Sequence, residues 1–119
     1  MTPTEINTLF LEKIRKINKQ GYILIYVPEH PNSNSQGYYL EHRYAVELFI
    51  GRILTKKEVI HHLNSDKLDN CIENLMLFKS QKEHKSFENK IRQFGLTNPI
   101  KRQISERWNS YLVSNIPYH

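Results

Sequence analysis

At 119 residues the chain suffices for one domain with a modest core, and nothing in its composition suggests two. Its 17 Lys and Arg against 12 Asp and Glu give a formal charge of +5, and its single cysteine, Cys71, excludes an intrachain disulfide and a CxxC-type structural zinc site. No apolar run approaches the ~18 residues of a membrane span, and the N-terminus lacks a basic-then-apolar leader pattern, so a soluble, cytoplasmic protein with no membrane partner is expected.

Taken in chain order, Thr2-Pro3-Thr4-Glu5 combines a capping box with proline at the first helical position, and Ile6, Leu9, Phe10, Ile14 and Ile17 follow at helical spacing. A helix is therefore expected to run until Lys19-Gln20-Gly21 ends it. Tyr22 to Val27 is a β-rich apolar run, Pro28 to Gly37 is a turn-rich loop, and Tyr38 to Leu40 is a candidate partner strand, which together predict a β-hairpin. A short helix is expected from about Glu41 to Ile50, stopped by Gly51. His42 within it reads as a structural or phosphate-contacting histidine, and Arg43 as a DNA contact. His30, in the loop, carries no assigned role.

The densest chemistry lies in VIHHLNSDKLDNCIENLMLFKSQKEHKSFE, residues 59 to 88. His61 and His62 close a short β-branched run, an Asn/Asp/Ser-rich loop follows, and Leu75 to Phe78 leads into a helix opening at Ser80. Ser80-Gln81-Lys82-Glu83 has the form of a capping box, with Glu83 reaching back to the Ser80 N–H, and it sets the helix register. His84 and Glu88 then lie four residues apart on one face, two potential metal ligands stacked one turn apart. Neighbouring strand residues point to opposite sides, so His61 can face the helix while His62 approaches from elsewhere. The unit is expected to run from Val59 to about Phe94, with Gly95 as its C-terminal cap.

This segment resembles the HNH nuclease motif, whose fold is called ββα-metal, and is most like the small HNH endonucleases of phages and mobile introns. The resemblance covers roughly residues 21 to 88. Twelve positions separate His62 from Asn74 and ten separate Asn74 from His84, and this spacing suits the family better with Asn74 than with Asn70 as its central asparagine. It implies an α+β fold: a ββα-metal HNH core preceded by a β-hairpin and flanked by N- and C-terminal helices, in one domain over residues 1–119. It also implies that His61 and His84 ligate a metal, that His62 is the general base and that Asn74 braces the loop. Glu88 stands where many relatives carry a further histidine. A carboxylate there suits a hard ion, Mg²⁺ or Mn²⁺, better than Zn²⁺ or Ni²⁺.

The activity so implied is metal-dependent endonucleolytic hydrolysis of double-stranded DNA, nicking or cutting it to leave 5′-phosphate and 3′-hydroxyl ends. An imidazole titrates close enough to neutral pH to take a proton from the attacking water, and one cation can neutralise the charge that develops. The alternatives are a catalytically silent HNH-shaped DNA-binding module and a structural metal-binding protein. Such an enzyme would work inside a phage-infected or prokaryotic cell.

Charge distribution points to the same partner. Residues 79 to 107 hold eight Lys/Arg against three acids, while the remainder holds nine against nine. Lys79, Lys82, Lys85, Lys101 and Arg102 are therefore candidate DNA contacts. After Asn98-Pro99, the residues Ile100, Ile104, Trp108, Tyr111 and Leu112 recur at near-helical intervals, predicting a helix over about 100–114. Its apolar stripe either folds back on the domain or forms a homodimer seam.

Overall fold

The computed structural model describes residues 1–95 together with Arg102 and Glu106. The expected helix over 100–114, with Lys101 and the proposed dimer seam, lies outside the described residues, apart from Arg102 and Glu106, which are helical and exposed. No helix among the described residues is long and apolar enough to cross a membrane.

Helix α1 spans Pro3–Leu11, and both halves of its capping box form, Thr2 with the Glu5 N–H and Glu5 with the Thr2 N–H. It is shorter than its apolar spacing predicts. The N–H groups of Glu12 and Lys13 bond three residues back, to Leu9 and Phe10, which closes the helix. The chain then enters strand β1, Arg15–Ile17, paired antiparallel with β2, Ile23–Tyr26. Lys19 to Gly21 thus lie in a hairpin turn, held by Asn18 Oδ1 accepting from the Gln20 and Tyr22 N–H groups, with Gly21 at φ +88°. Ile14 and Ile17, which stand at helical spacing, are 64% and 61% exposed. Their spacing was incidental: strand pairing and an ion pair from Arg15 to Glu41 fix this segment instead.

Strand β3, Tyr38–Leu40, completes a three-stranded sheet in the order β1-β2-β3, and the expected hairpin of β2 with β3 is present. Helix α2 follows without a break over Glu41–Ile50, and Gly51, at φ +80°, ends it in the left-handed conformation that a residue lacking Cβ adopts freely. The second unit is β4, Val59–His62, a 3₁₀ turn at Ile72–Asn74, β5, Leu75–Phe78, and α3, Gln81–Phe94. Strands β4 and β5 pair antiparallel, His61 opposite Met76 and His62 opposite Leu75. This is the ββα arrangement that the resemblance implies.

Strand β5 is buried on both faces, and that decides where α3 sits. Leu75 and Leu77 join the main core, with Ile6, Phe10, Ile25, Val46 and Ile60 among its members. Met76 and Phe78 face the other way, under Phe87 and Ile91 of α3. Helix α3 has no buried residue of its own, so its polar face is open along its length. Ser80 caps it by accepting from the Glu83 N–H, while the Glu83 carboxylate reaches back to the Lys79 N–H, one residue before the expected one.

His30, given no role above, is structural. Its Nδ1 accepts from the Asn32 N–H, so Nε2 carries the proton and donates to Glu47, 2.7 Å away. Glu47 also accepts from the Tyr39 hydroxyl and the Leu54 N–H. Burial, with Glu47 beside it, pushes the Tyr39 phenol up to about 12, against the opposing effect of Arg43. This network ties the loop after β2 to α2 and to the segment beyond it.

Candidate functional site

Alternation along β4 sends Val59 and His61 toward α3, and Ile60 and His62 toward the main core. His61 therefore meets the face of α3 that carries His84 and Glu88. His61 Nδ1 lies 2.9 Å from His84 Nε2, His84 Nε2 lies 2.9 Å from Glu88 Oε1, and His61 Nδ1 lies 3.5 Å from the same oxygen. Three atoms bound to one ion at ~2.0–2.2 Å sit roughly 3.0–3.6 Å apart, so the donors already have the spacing of a shared ligand set. They form the only such group among the described residues.

The protonation states suit that role. Burial, with His84 beside it, holds the His61 imidazole below its ordinary range despite the opposing pull of Glu88, so its ring is neutral near pH 7 and has a lone pair to offer. His84 Nδ1 faces Gln81 Oε1 at a long 3.5 Å, which favours the proton on Nδ1 and leaves Nε2 for an ion. A shallow cleft of about 260 Å³ opens beside the group, lined by His61, Ser65, Glu88, Ile91 and Arg92. Arg92, not singled out among the candidate DNA contacts, is a cation on this rim.

Asn74 clasps the loop between the strands. Its Oδ1 accepts from the Asn64 N–H at 3.0 Å, its Nδ2 donates to the Asp69 carbonyl at 2.8 Å, and its own carbonyl accepts from the Leu63 N–H. The loop is thus fixed at both ends by one side chain. Lys79, Lys82 and Lys85 are exposed at the start of α3, and Arg102 is exposed beyond it. Arg43 is turned inward. Its guanidinium donates to the Thr55 and Glu58 carbonyls, both at 2.8 Å, and to the Tyr39 hydroxyl, so the donors a phosphate would use hold the loop before β4. The loop before β4 folds over it and supplies oxygens to two of its donors.

His62 lies on the opposite face of β4 from the ligand group and is 7% exposed. Its Nε2 is 2.7 Å from Asn70 Oδ1, and its ring neighbours Tyr22 and His42. Asn70 also donates to Glu41, which Arg15 holds. Glu41 and Arg15 escaped the sequence reading, and Asn70 entered it only as the less suitable candidate for the central asparagine.

His42 is a core histidine whose Nδ1 has no partner. Burial, reinforced by His62 and Arg43, lowers its imidazole to about 3. The unfolded chain, titrating near ~6.5, binds a proton between those values that the folded protein refuses, so stability is full above that window and falls as pH drops through it. Between pH 7 and pH 4 the loss attributable to His42 is about 3 kcal/mol. His42→Phe keeps a ring against Tyr22 and binds no proton, so its stability should fall less over that interval by about the same amount. Urea titrations at the two pH values check this, and equal losses in both proteins would remove His42 as the acid-sensitive group.

Residues 39–85 match the family model described as HNH endonuclease. The match runs from β3 to the first turns of α3, taking in His61, His62, Asn74 and His84 and stopping short of Glu88. No curated protein and no solved structure matches the chain.

Proposed function

We propose that this chain, whose residues 39–85 match the HNH endonuclease model, is an HNH endonuclease that hydrolyses phosphodiester bonds of double-stranded DNA with the help of a divalent metal ion. The observation that carries this reading is the convergence of His61 Nδ1, His84 Nε2 and Glu88 Oε1 from a strand and a helix onto one point beside an open cleft. Two imidazoles and a carboxylate would hold Mg²⁺ or Mn²⁺, and would also accept Zn²⁺ or Ni²⁺. When bound, such an ion supplies Lewis-acid polarisation of the phosphate and neutralises charge on the departing 3′ oxygen.

The remaining work falls to the chain's own residues. His62 takes the proton from the attacking water as general base. Asn74 keeps the strand ends and the loop between them in register, so that His61 and His62 hold their places on opposite faces of β4. Lys79, Lys82 and Lys85 line the exposed start of α3, Arg92 stands on the cleft rim, and Arg102 follows. These cations suit a polyanion lying along the helix. Products carry 5′-phosphate and 3′-hydroxyl ends.

The test is conversion of supercoiled plasmid to nicked or linear forms in Mg²⁺ or Mn²⁺, stopped by chelator and restored by excess metal. DNA ligase should reseal the nicks. Retarded plasmid without conversion in any of the four ions would establish the silent DNA-binding module instead.

A further inference from the structure

The main core contains a directed chain of hydrogen bonds that ends on His62. It begins with Arg15 of β1, whose Nε and Nη2 grip the two oxygens of Glu41 at 2.5 and 2.7 Å. Glu41, at the start of α2, is 1% exposed, and a carboxylate so buried requires such a partner. Paired with a permanently charged guanidinium, it offers acceptors only. Asn70 Nδ2 lies 3.1 Å from Glu41 Oε1, so the amide must turn its NH₂ toward Glu41 and its oxygen the other way. That oxygen is 2.7 Å from His62 Nε2 and can only accept, so Nε2 must carry the proton. In the neutral ring, Nδ1 is left with the free lone pair.

We propose that Asn70, oriented by the Arg15–Glu41 pair, is a positioning residue that fixes His62 in its Nε2–H form and makes Nδ1 the proton-accepting atom. The catalytic consequence rests on the nuclease reading above, whereas the tautomer follows from the hydrogen bonds alone. An amide by itself could turn over and stabilise either tautomer, and the carboxylate removes that freedom. Arg15 lies outside the segment that matches the family model, on the strand formed where the sequence suggested helix. The ring contacts with Tyr22 and His42 limit rotation of the imidazole but cannot choose which nitrogen is protonated.

The tautomer can be observed directly. In the full chain labelled with ¹⁵N-histidine, long-range proton–nitrogen correlation spectra at pH 8 should show His62 Nδ1 as a bare, pyridine-type nitrogen and Nε2 as a protonated, pyrrole-type one. Asn70→Leu, which removes both bonds at similar volume, should convert His62 to a mixture of tautomers. It should also lower kcat for plasmid nicking roughly 10–100-fold, the usual effect of losing a partner that orients a histidine, with KM for DNA nearly unchanged. Glu41→Gln alone frees the amide to turn and should also mix the tautomers. The double variant Glu41→Gln with Asn70→Asp reverses the donation between these two side chains while keeping one carboxylate and an obligatory acceptor opposite His62 Nε2, so it should restore the Nε2–H form and most of kcat. A wild-type His62 protonated on Nδ1, or Asn70→Leu and Glu41→Gln proteins with unaltered nitrogen shifts and kcat, would overturn the proposal. If the shifts are as expected and the wild type cleaves no DNA, the nuclease reading falls and the positioning of His62 stands.

Discussion

Replacing His62 with alanine should lower the rate of DNA cleavage on the order of 10²–10⁴-fold, the range that a general base contributes. Metal affinity should hardly move, because His62 lies on the opposite face of β4 from His61 and from the α3 ligands. DNA affinity should persist as well, since the exposed cations lie on and beyond α3. The substitution also carries a structural cost. It opens a space beside Tyr22 and His42 and leaves Asn70 Oδ1 without its donor, which costs about 1–3 kcal/mol. Rates should therefore be measured well below the melting temperature of the variant, with calorimetry for Mn²⁺ and fluorescence anisotropy for DNA on the same samples. Turnover within a few-fold of the wild type would end the assignment of His62 as base.

The second large effect concerns the ion. His84 is the hub of the ligand group, with its Nε2 2.9 Å from both other donors, whereas His61 and Glu88 are 3.5 Å apart and the Glu88 side chain is 37% exposed. His84→Ala should therefore weaken Mn²⁺ binding by roughly two orders of magnitude or more, beyond the 10–100-fold that outer-sphere changes alone produce. Glu88→Ala should weaken it by about one order, since a water can take the place of an exposed carboxylate around a hard ion. Phe87 and Ile91 keep α3 seated over Met76 and Phe78 in both variants, so helix loss does not confound the comparison. Isothermal titration of each protein with Mn²⁺ decides the order, and a larger loss from Glu88→Ala would make the carboxylate the principal ligand.

Much of the scaffold was legible because its signals are local. Glycine at 51 and serine at 80 mark helix ends by backbone and capping preferences that need no knowledge of the rest of the chain. The period of two along Val59 to His62 separates the two adjacent histidines, and the four-residue spacing of His84 and Glu88 stacks them. Once the Ser80 cap fixes the register of α3 and Met76 and Phe78 seat it, the ligand group follows from sequence positions alone. Asn74 was identified through resemblance, and its two bonds across the loop give the physical basis for that choice.

What the sequence left open depends on partners chosen only when distant segments meet. Ile14 and Ile17 have helical spacing, yet the pairing of Arg15–Ile17 with Ile23–Tyr26 draws this segment into a strand, and no local preference could reveal that β2 would offer its free edge there. No local signal showed that the Arg43 guanidinium would donate to the Thr55 and Glu58 carbonyls. Glu41 and Arg15 are 26 residues apart, and Glu41 and Asn70 are 29 apart. Each has many possible partners in the unfolded chain, and a buried carboxylate, which cannot remain unpaired, selects among them only after the core has formed. By itself the sequence offered His61, His84 and Glu88 as candidate ligands and, through its resemblance, His62 as candidate base; only the tertiary structure set the hydrogen bond at His62 Nε2, because the Asn70 amide that makes it is oriented by a buried carboxylate on α2.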